Sequence, residues 1–265
     1  MDGKTVLAAL LLAASLALAQ APARAATPAV SLGVHHSVAL SRDGIVRTWG
    51  DDRVGQLGLG RRIASPVAIP VNAISGSTAV LAADRFSLAV EADGSVWGWG
   101  YDGADQLGDG TETDRSTPTP IAGLAGIRDI AGRNYHAVGL GAGGTVWAWG
   151  ENGSGQIGIG TAVNQPTPIQ VPGLAGFTQV SAGDVHTVAL RGDGTVFAWG
   201  DNERGQLGDG TTTGRLAPQA VAGLSGVAKI SAGGAFTLAL KSDGTVWSWG
   251  ANDSGELGDG TFTDR

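Results

Sequence analysis

An all-β chain of repeated four-stranded units is predicted by three observations. Tryptophan and glycine stand together at Trp49-Gly50, Trp99-Gly100, Trp149-Gly150, Trp199-Gly200 and Trp249-Gly250, 50 residues apart each time. Between these pairs lie short apolar runs separated by turn residues, the punctuation of strands. Of 265 residues 45 are glycine while 42% are apolar, which describes a folded, turn-dense chain. A period of this length marks units that each need a neighbour to bury their apolar faces. Four short strands per unit and a tryptophan signature select propeller blades over a parallel β-helix, whose turns repeat over far fewer residues. The units are 30–79, 80–129, 130–179, 180–229 and an incomplete 230–265.

The fourth unit gives the order of elements. A first strand ends at Val180 to Gly183, and a second runs from His186 to Leu190. Asp193-Gly194 follows, and Asp-Gly suits the left-handed dihedrals of a tight hairpin; Asp43-Gly44, Asp93-Gly94 and Asp243-Gly244 match it, with Gly143-Gly144 in the third unit. The third strand alternates large and small residues, as in Trp97 and Trp99 against Val96, Gly98 and Gly100. Both indoles therefore project from one sheet face, and Arg47 breaks the pattern only in the first unit. A fourth strand carries proline at Pro66, Pro118, Pro166 and Pro218. Proline cannot donate to a ladder, so this strand belongs at a sheet edge.

Before the first unit, Lys4, the apolar run Val6 to Ala19 and the small-residue patterns ending at Ala19 and Ala25 describe a secretory signal peptide over 1–25. The run is short for a bilayer span, so an exported chain with no stable membrane insertion after leader removal is expected. Without the leader the chain keeps 15 basic and 23 acidic side chains, a formal charge of −8, which on average repels a phosphate backbone. Nucleic acid is not an expected partner. With no cysteine, disulfides and thiolate metal sites are excluded.

Residues common to the units are assigned to folding. His36, His136 and His186 share one slot with Phe86 and Phe236, so the slot is a packing position and not a metal or catalytic site. Asp109, Asp209 and Asp259 fall in a Gly-Asp-Gly-Thr turn but are replaced by Leu59 and Ile159 in two units, which favours turn chemistry over a calcium loop. Gln56, Gln106, Gln156 and Gln206, with Glu256 as a variant, are expected to hydrogen-bond backbone between blades. The tryptophans are expected in the core. Sialidase boxes, metalloprotease helices, nucleophile elbows and phosphate loops are missing, so no catalytic residue and no cofactor are predicted.

The fullest unit, Ala182, Gly183, His186, Ala189, Leu190, Asp193, Gly194, Val196, Trp199, Gly200, Asn202, Gly205, Gln206, Leu207, Gly208 and Gly210, resembles the regulator of chromosome condensation repeat, also called alpha-tubulin suppressor-like. The resemblance covers nearly all of 30–265 and implies a ring of typically seven blades. The four full units and part of a fifth are then an open arc or a fragment of such a ring, ending mid-repeat with about two units to follow. With the leader, it points to a secreted bacterial type. The family includes a secreted bacterial inhibitor of β-lactamases and a nuclear exchange factor for a small GTPase. The exchange-factor role is disfavoured here by the leader, the acidic balance and the lack of a long insertion.

Function is sought where the units differ, in the turn between strands one and two, the loop after each Trp-Gly, and a third zone that includes Arg61-Arg62, Glu112 with Asp114-Arg115, and Thr213 to Arg215. Tyrosine and arginine are favoured interface anchors, and loops on a rigid scaffold suit recognition. His35, Arg85, Tyr101, Tyr135 and Arg204 are the candidate binding residues. The expected function is an exported, non-enzymatic scaffold for another protein. The alternative is a module for cell-wall carbohydrate, with Tyr101 and Tyr135 as a sugar platform; a glycosidase or lyase ranks behind both.

Overall fold

The computed structural model describes residues 26–265; the predicted leader lies outside the described residues. The chain forms five antiparallel sheets, four of four strands and a last one of three, each meandering in sequence order. Blade one comprises Ala29–Leu32, His36–Leu40, Val46–Gly50 and Ser65–Pro70, and blades two to five repeat it over 77–120, 127–170, 177–220 and 227–250. First strands of successive blades contact one another, and second strands contact the first strand of the next blade. The blades thus form an open propeller arc, with the proline-bearing fourth strands at the sheet edges as predicted.

The hairpin between strands two and three differs from the two-residue turn implied by Asp-Gly. The Gly44 N–H donates to the Ser41 carbonyl at 2.9 Å and the Ser41 N–H to the Ile45 carbonyl at 3.0 Å, so three residues form the loop. Only the glycine is left-handed, with φ of 78° at Gly44 and 83° at Gly194, as in a type I turn closed by a glycine bulge. The aspartate instead caps the turn, its Oδ1 accepting the N–H two residues on, as in Asp193 with Thr195 at 3.0 Å.

Trp99, Trp149 and Trp199 are fully buried and Trp249 nearly so. Each reaches across the seam to the blade before it, donating its indole N–H to the carbonyl of Gln56, Gln106, Gln156 or Gln206 at 2.8–3.0 Å. Burying an indole contributes about 4–6 kcal/mol by area against about 1 kcal/mol for its hydrogen bond, so packing supplies the energy and the bond fixes the register. The glutamine side chains do not bridge blades as expected. Gln56 Oε1 accepts the Val54 N–H at 3.0 Å and its amide donates to Asp51 at 2.9 Å, both within its own loop. The backbone carbonyl of each glutamine makes the crossing. Glu256 needs only to accept, and does so from the Ser254 N–H at 2.9 Å.

The histidine slot is a packing position with a polar addition. His36, His136 and His186 each meet a hydroxyl of the next blade, Ser87, Thr187 or Thr237, at 2.8–3.1 Å. These hydroxyls donate onward to the Gln56, Gln156 and Gln206 carbonyls at 2.8–2.9 Å. A hydroxyl has one proton, so each must accept from the imidazole, which fixes Nε2–H and leaves Nδ1 bare. Nδ1 of all three is buried without a partner. Burial holds His36 and His186 down to about 4 and His136 down to about 3, so all are neutral near pH 7.

The second indole position is less enclosed: Trp97 and Trp147 are half-buried and Trp247 is 50% exposed. Val246 is likewise 67% exposed, where Val96, Val146 and Val196 are fully buried. The cause is position, since each of the other three valines is covered by the following blade.

Candidate functional site

Antiparallel order places the turn between strands one and two at the same end of each blade as the loop between strands three and four. A backbone bond joins the two: Asp51 N–H to the His35 carbonyl at 2.8 Å, Tyr101 to Arg85 at 3.0 Å, and Glu151 to Tyr135, Asp201 to Val185 and Ala251 to Ala235 at 2.9 Å. All five candidate residues therefore lie on one face of the arc, at the junctions between blades. The Asp-Gly hairpins occupy the opposite face.

The first junction holds His35 and Arg85, both exposed. With Asp51, Arg53, Val54 and Gln56 they line a cleft of about 170 Å³. Arg53 is paired with Asp51 at 2.9 Å. Next along the face, Tyr101 of blade two and Tyr135 of blade three approach with ring centroids 6.1 Å apart and planes tilted by 57°. Both are half-buried, giving one aromatic surface from two blades. Tyr135 sits in a two-residue turn that Asn134 permits with a φ of 52°, since asparagine tolerates the left-handed region. A side chain at Gly103 would collide with the Tyr101 hydroxyl, so that glycine leaves room for the ring over its own loop.

Farther along, the junctions are closed by ion pairs. Arg133 meets Asp184 across blades three and four. Arg204 is engaged by Asp264 and Asp253 of the blade-five segment, which hold its guanidinium well above its ordinary range. Arg204 is thus a clamp between blades, whereas His35, Arg85, Tyr101 and Tyr135 present free edges. No local signal announces this pairing, because Asp264 lies 60 residues away.

A cleft of about 970 Å³ lies elsewhere, between the loop of blade four and the exposed Trp247 flank of blade five. Among the described residues no group of three or more His, Asp or Glu side chains is arranged to hold a metal. Asp109, Asp209 and Asp259 instead shape their turns, each accepting the N–H and hydroxyl of the threonine two residues on and pairing with Arg115, Arg215 or Arg265.

The sequence-stretch 20–265 matches the RCC1-like domain, and the chain belongs to that family. Its fold is similar to human WBSCR16, at 27% identity and a TM-score of 0.79 over 89% of this chain and 64% of that one. It is also similar to Prp20p from Saccharomyces cerevisiae, at 21% identity and a TM-score of 0.72 over 80% of this chain and 55% of that one. The same yeast protein in complex with Kap60 gives 21% identity and a TM-score of 0.77 over 87% and 57%. The chain thus spans less than two thirds of the length of each. No curated protein matches it.

Proposed function

We propose that this chain is an exported, non-enzymatic propeller that binds another protein through its loop face. The observation that carries the reading is the Tyr101–Tyr135 pair beside the His35 and Arg85 cleft, two adjacent junctions presenting aromatic and cationic edges. Aromatic and arginine anchors at the centre of a rigid face are what protein recognition uses. The yeast relative Prp20p is described by its binding to Gsp1p and histones and was crystallised bound to Kap60, which supports protein binding for a scaffold of this kind. Export rests on the apolar segment from Val6 to Ala19 and the small residues after it.

The tilted tyrosine pair favours one second reading, a platform for cell-wall carbohydrate. Both readings place Tyr101 and Tyr135 at the contact, so one variant tests them. With the mature chain as bait against envelope and extracellular proteins of the producing cell, Tyr101→Ala with Tyr135→Ala is expected to weaken capture of a specific protein at least about tenfold. Unchanged capture overturns the proposal. Retention on purified cell-wall polysaccharide that the same variant abolishes selects the sugar reading.

A further inference from the structure

Blade two departs from its sisters in the loop that carries Tyr101. At the corresponding position blades three, four and five bury Asn152, Asn202 and Asn252. In each, Oδ1 accepts the N–H of Ile157, Leu207 or Leu257 at 2.9–3.0 Å. The amide nitrogen then donates into a nest of carbonyls: Thr161 and Val163 at 2.9 Å, Thr211 at 2.9 Å and Thr213 at 3.2 Å, Thr261 at 3.0 Å and Thr263 at 3.1 Å. Asn202 also reaches Asp209 Oδ1 at 3.1 Å. Only a donor fits there.

Blade two places Asp102 in this position, fully buried. Its Oδ1 accepts the Leu107 N–H at 2.9 Å, the same bond the asparagines make, while Oδ2 has no hydrogen-bond partner. The rest of the turn is unchanged, with Asp109 Oδ1 accepting from Thr111 at 2.9 and 2.7 Å. An ionised Asp102 would turn a bare carboxylate oxygen toward other acceptors. Asp52 of blade one escapes this, because the Ile63 N–H donates to its Oδ2 at 3.2 Å.

We propose that Asp102 stays protonated in the folded loop, its single Oδ2–H donating to one of the carbonyls, Thr111 or Thr113, that correspond to those the asparagine amide serves in the other blades, so that loop 101–115 is a proton-dependent element of the fold. The charged groups around it agree. Asp109 and Asp105 oppose a second negative charge, and Arg115, the nearby cation, is committed to Asp109 at 2.6 Å. Asp114 accepts the Asp102 N–H at 3.0 Å and faces Arg62 at 3.5 Å. Burial first, then these carboxylates, push the Asp102 carboxyl up to about 7. A pKa raised on folding gives stability that is whole below about 4 and lost as pH rises to about 7.

The test compares melting temperatures at about pH 8 and about pH 4.5. Asp102→Asn is expected to melt about 4 °C or more above the parent chain at the higher pH and level with it at the lower. Asn202→Asp, which moves the carboxyl into blade four, is expected to melt below the parent at pH 8 and to recover in acid. A gap that does not change with pH, or an Asp102→Asn variant less stable at pH 8, overturns the proposal. So does calcium chloride raising the melting temperature of the parent chain but not of Asp102→Asn, since an ion would then occupy the place of the proton.

Discussion

One slot shows how far a single side chain depends on a partner 51 residues away. Histidine at 36, 136 and 186 faces Ser87, Thr187 and Thr237, and the one phenylalanine with a following blade, Phe86, faces Ala137 in the same register. Imidazole goes with hydroxyl and benzene ring with methyl, because a buried polar group without its partner is penalised more than an apolar pair in its place. Phe86→His alone is expected to cost about 1–3 kcal/mol. Phe86→His with Ala137→Thr is expected to recover most of that, and urea denaturation of both variants checks the coupling. The pairing was present in the sequence, in step with the 50-residue register, but reading the slot by itself showed only that histidine and phenylalanine alternate there.

At the level of the element, the loop after each Trp-Gly is shaped by close approach to the next blade. Gly108 has a φ of 73°, and a Cβ there would lie 2.6 Å from Trp149 Cδ1. Gly123 has a similar φ of 82° but nothing within 4 Å. Gly108→Ala is therefore expected to cost about 2–4 kcal/mol, from strained backbone and overpacking together, and Gly123→Ala only about 1 kcal/mol; thermal unfolding of the two separates the contributions. Strands, hairpins and the outer position of the proline strands were legible because alternation, Asp-Gly and proline are local signals. The glutamine carbonyls were not, since a backbone atom that bridges blades leaves no residue-specific mark. For the candidate site, the loop zones were legible as the places where copies differ. The Tyr101–Tyr135 pairing and the commitment of Arg204 were not, because both depend on how adjacent blades meet.

For the whole molecule, the seams set the response to acid. His36, His136 and His186 titrate at about 4, 3 and 4 when folded and near 6.5 when unfolded. The unfolded chain therefore takes up protons first as pH falls, and stability present above about 6.5 is lost on the way down to about 4, by up to about 1.4 kcal/mol per pH unit for each histidine. Asp102 runs the other way over much of this range, and burial raises Asp52 and Asp129 in the same sense, so the three imidazoles set a slope that these carboxyls partly offset. Denaturation midpoints across this window are expected to fall steeply with acid. His136→Phe with Thr187→Ala, copying the Phe86 and Ala137 pair, is expected to make the slope shallower; an unchanged slope would place the acid sensitivity outside the seams. The coupling is distributed, since each seam carries its own copy of the same contact.

These contacts also point one way along the chain. The carbonyl of Gln56 waits for a hydroxyl 31 residues later and an indole 43 residues later, and Gln156 and Gln206 repeat both intervals. A chain leaving the ribosome amino end first would therefore carry, at every moment, one newly made blade whose apolar flank is open until most of the next has emerged. Synthesis becomes a ratchet in which each blade is locked by its successor, and a pause of translation within any such interval leaves a single defined surface for a chaperone to hold.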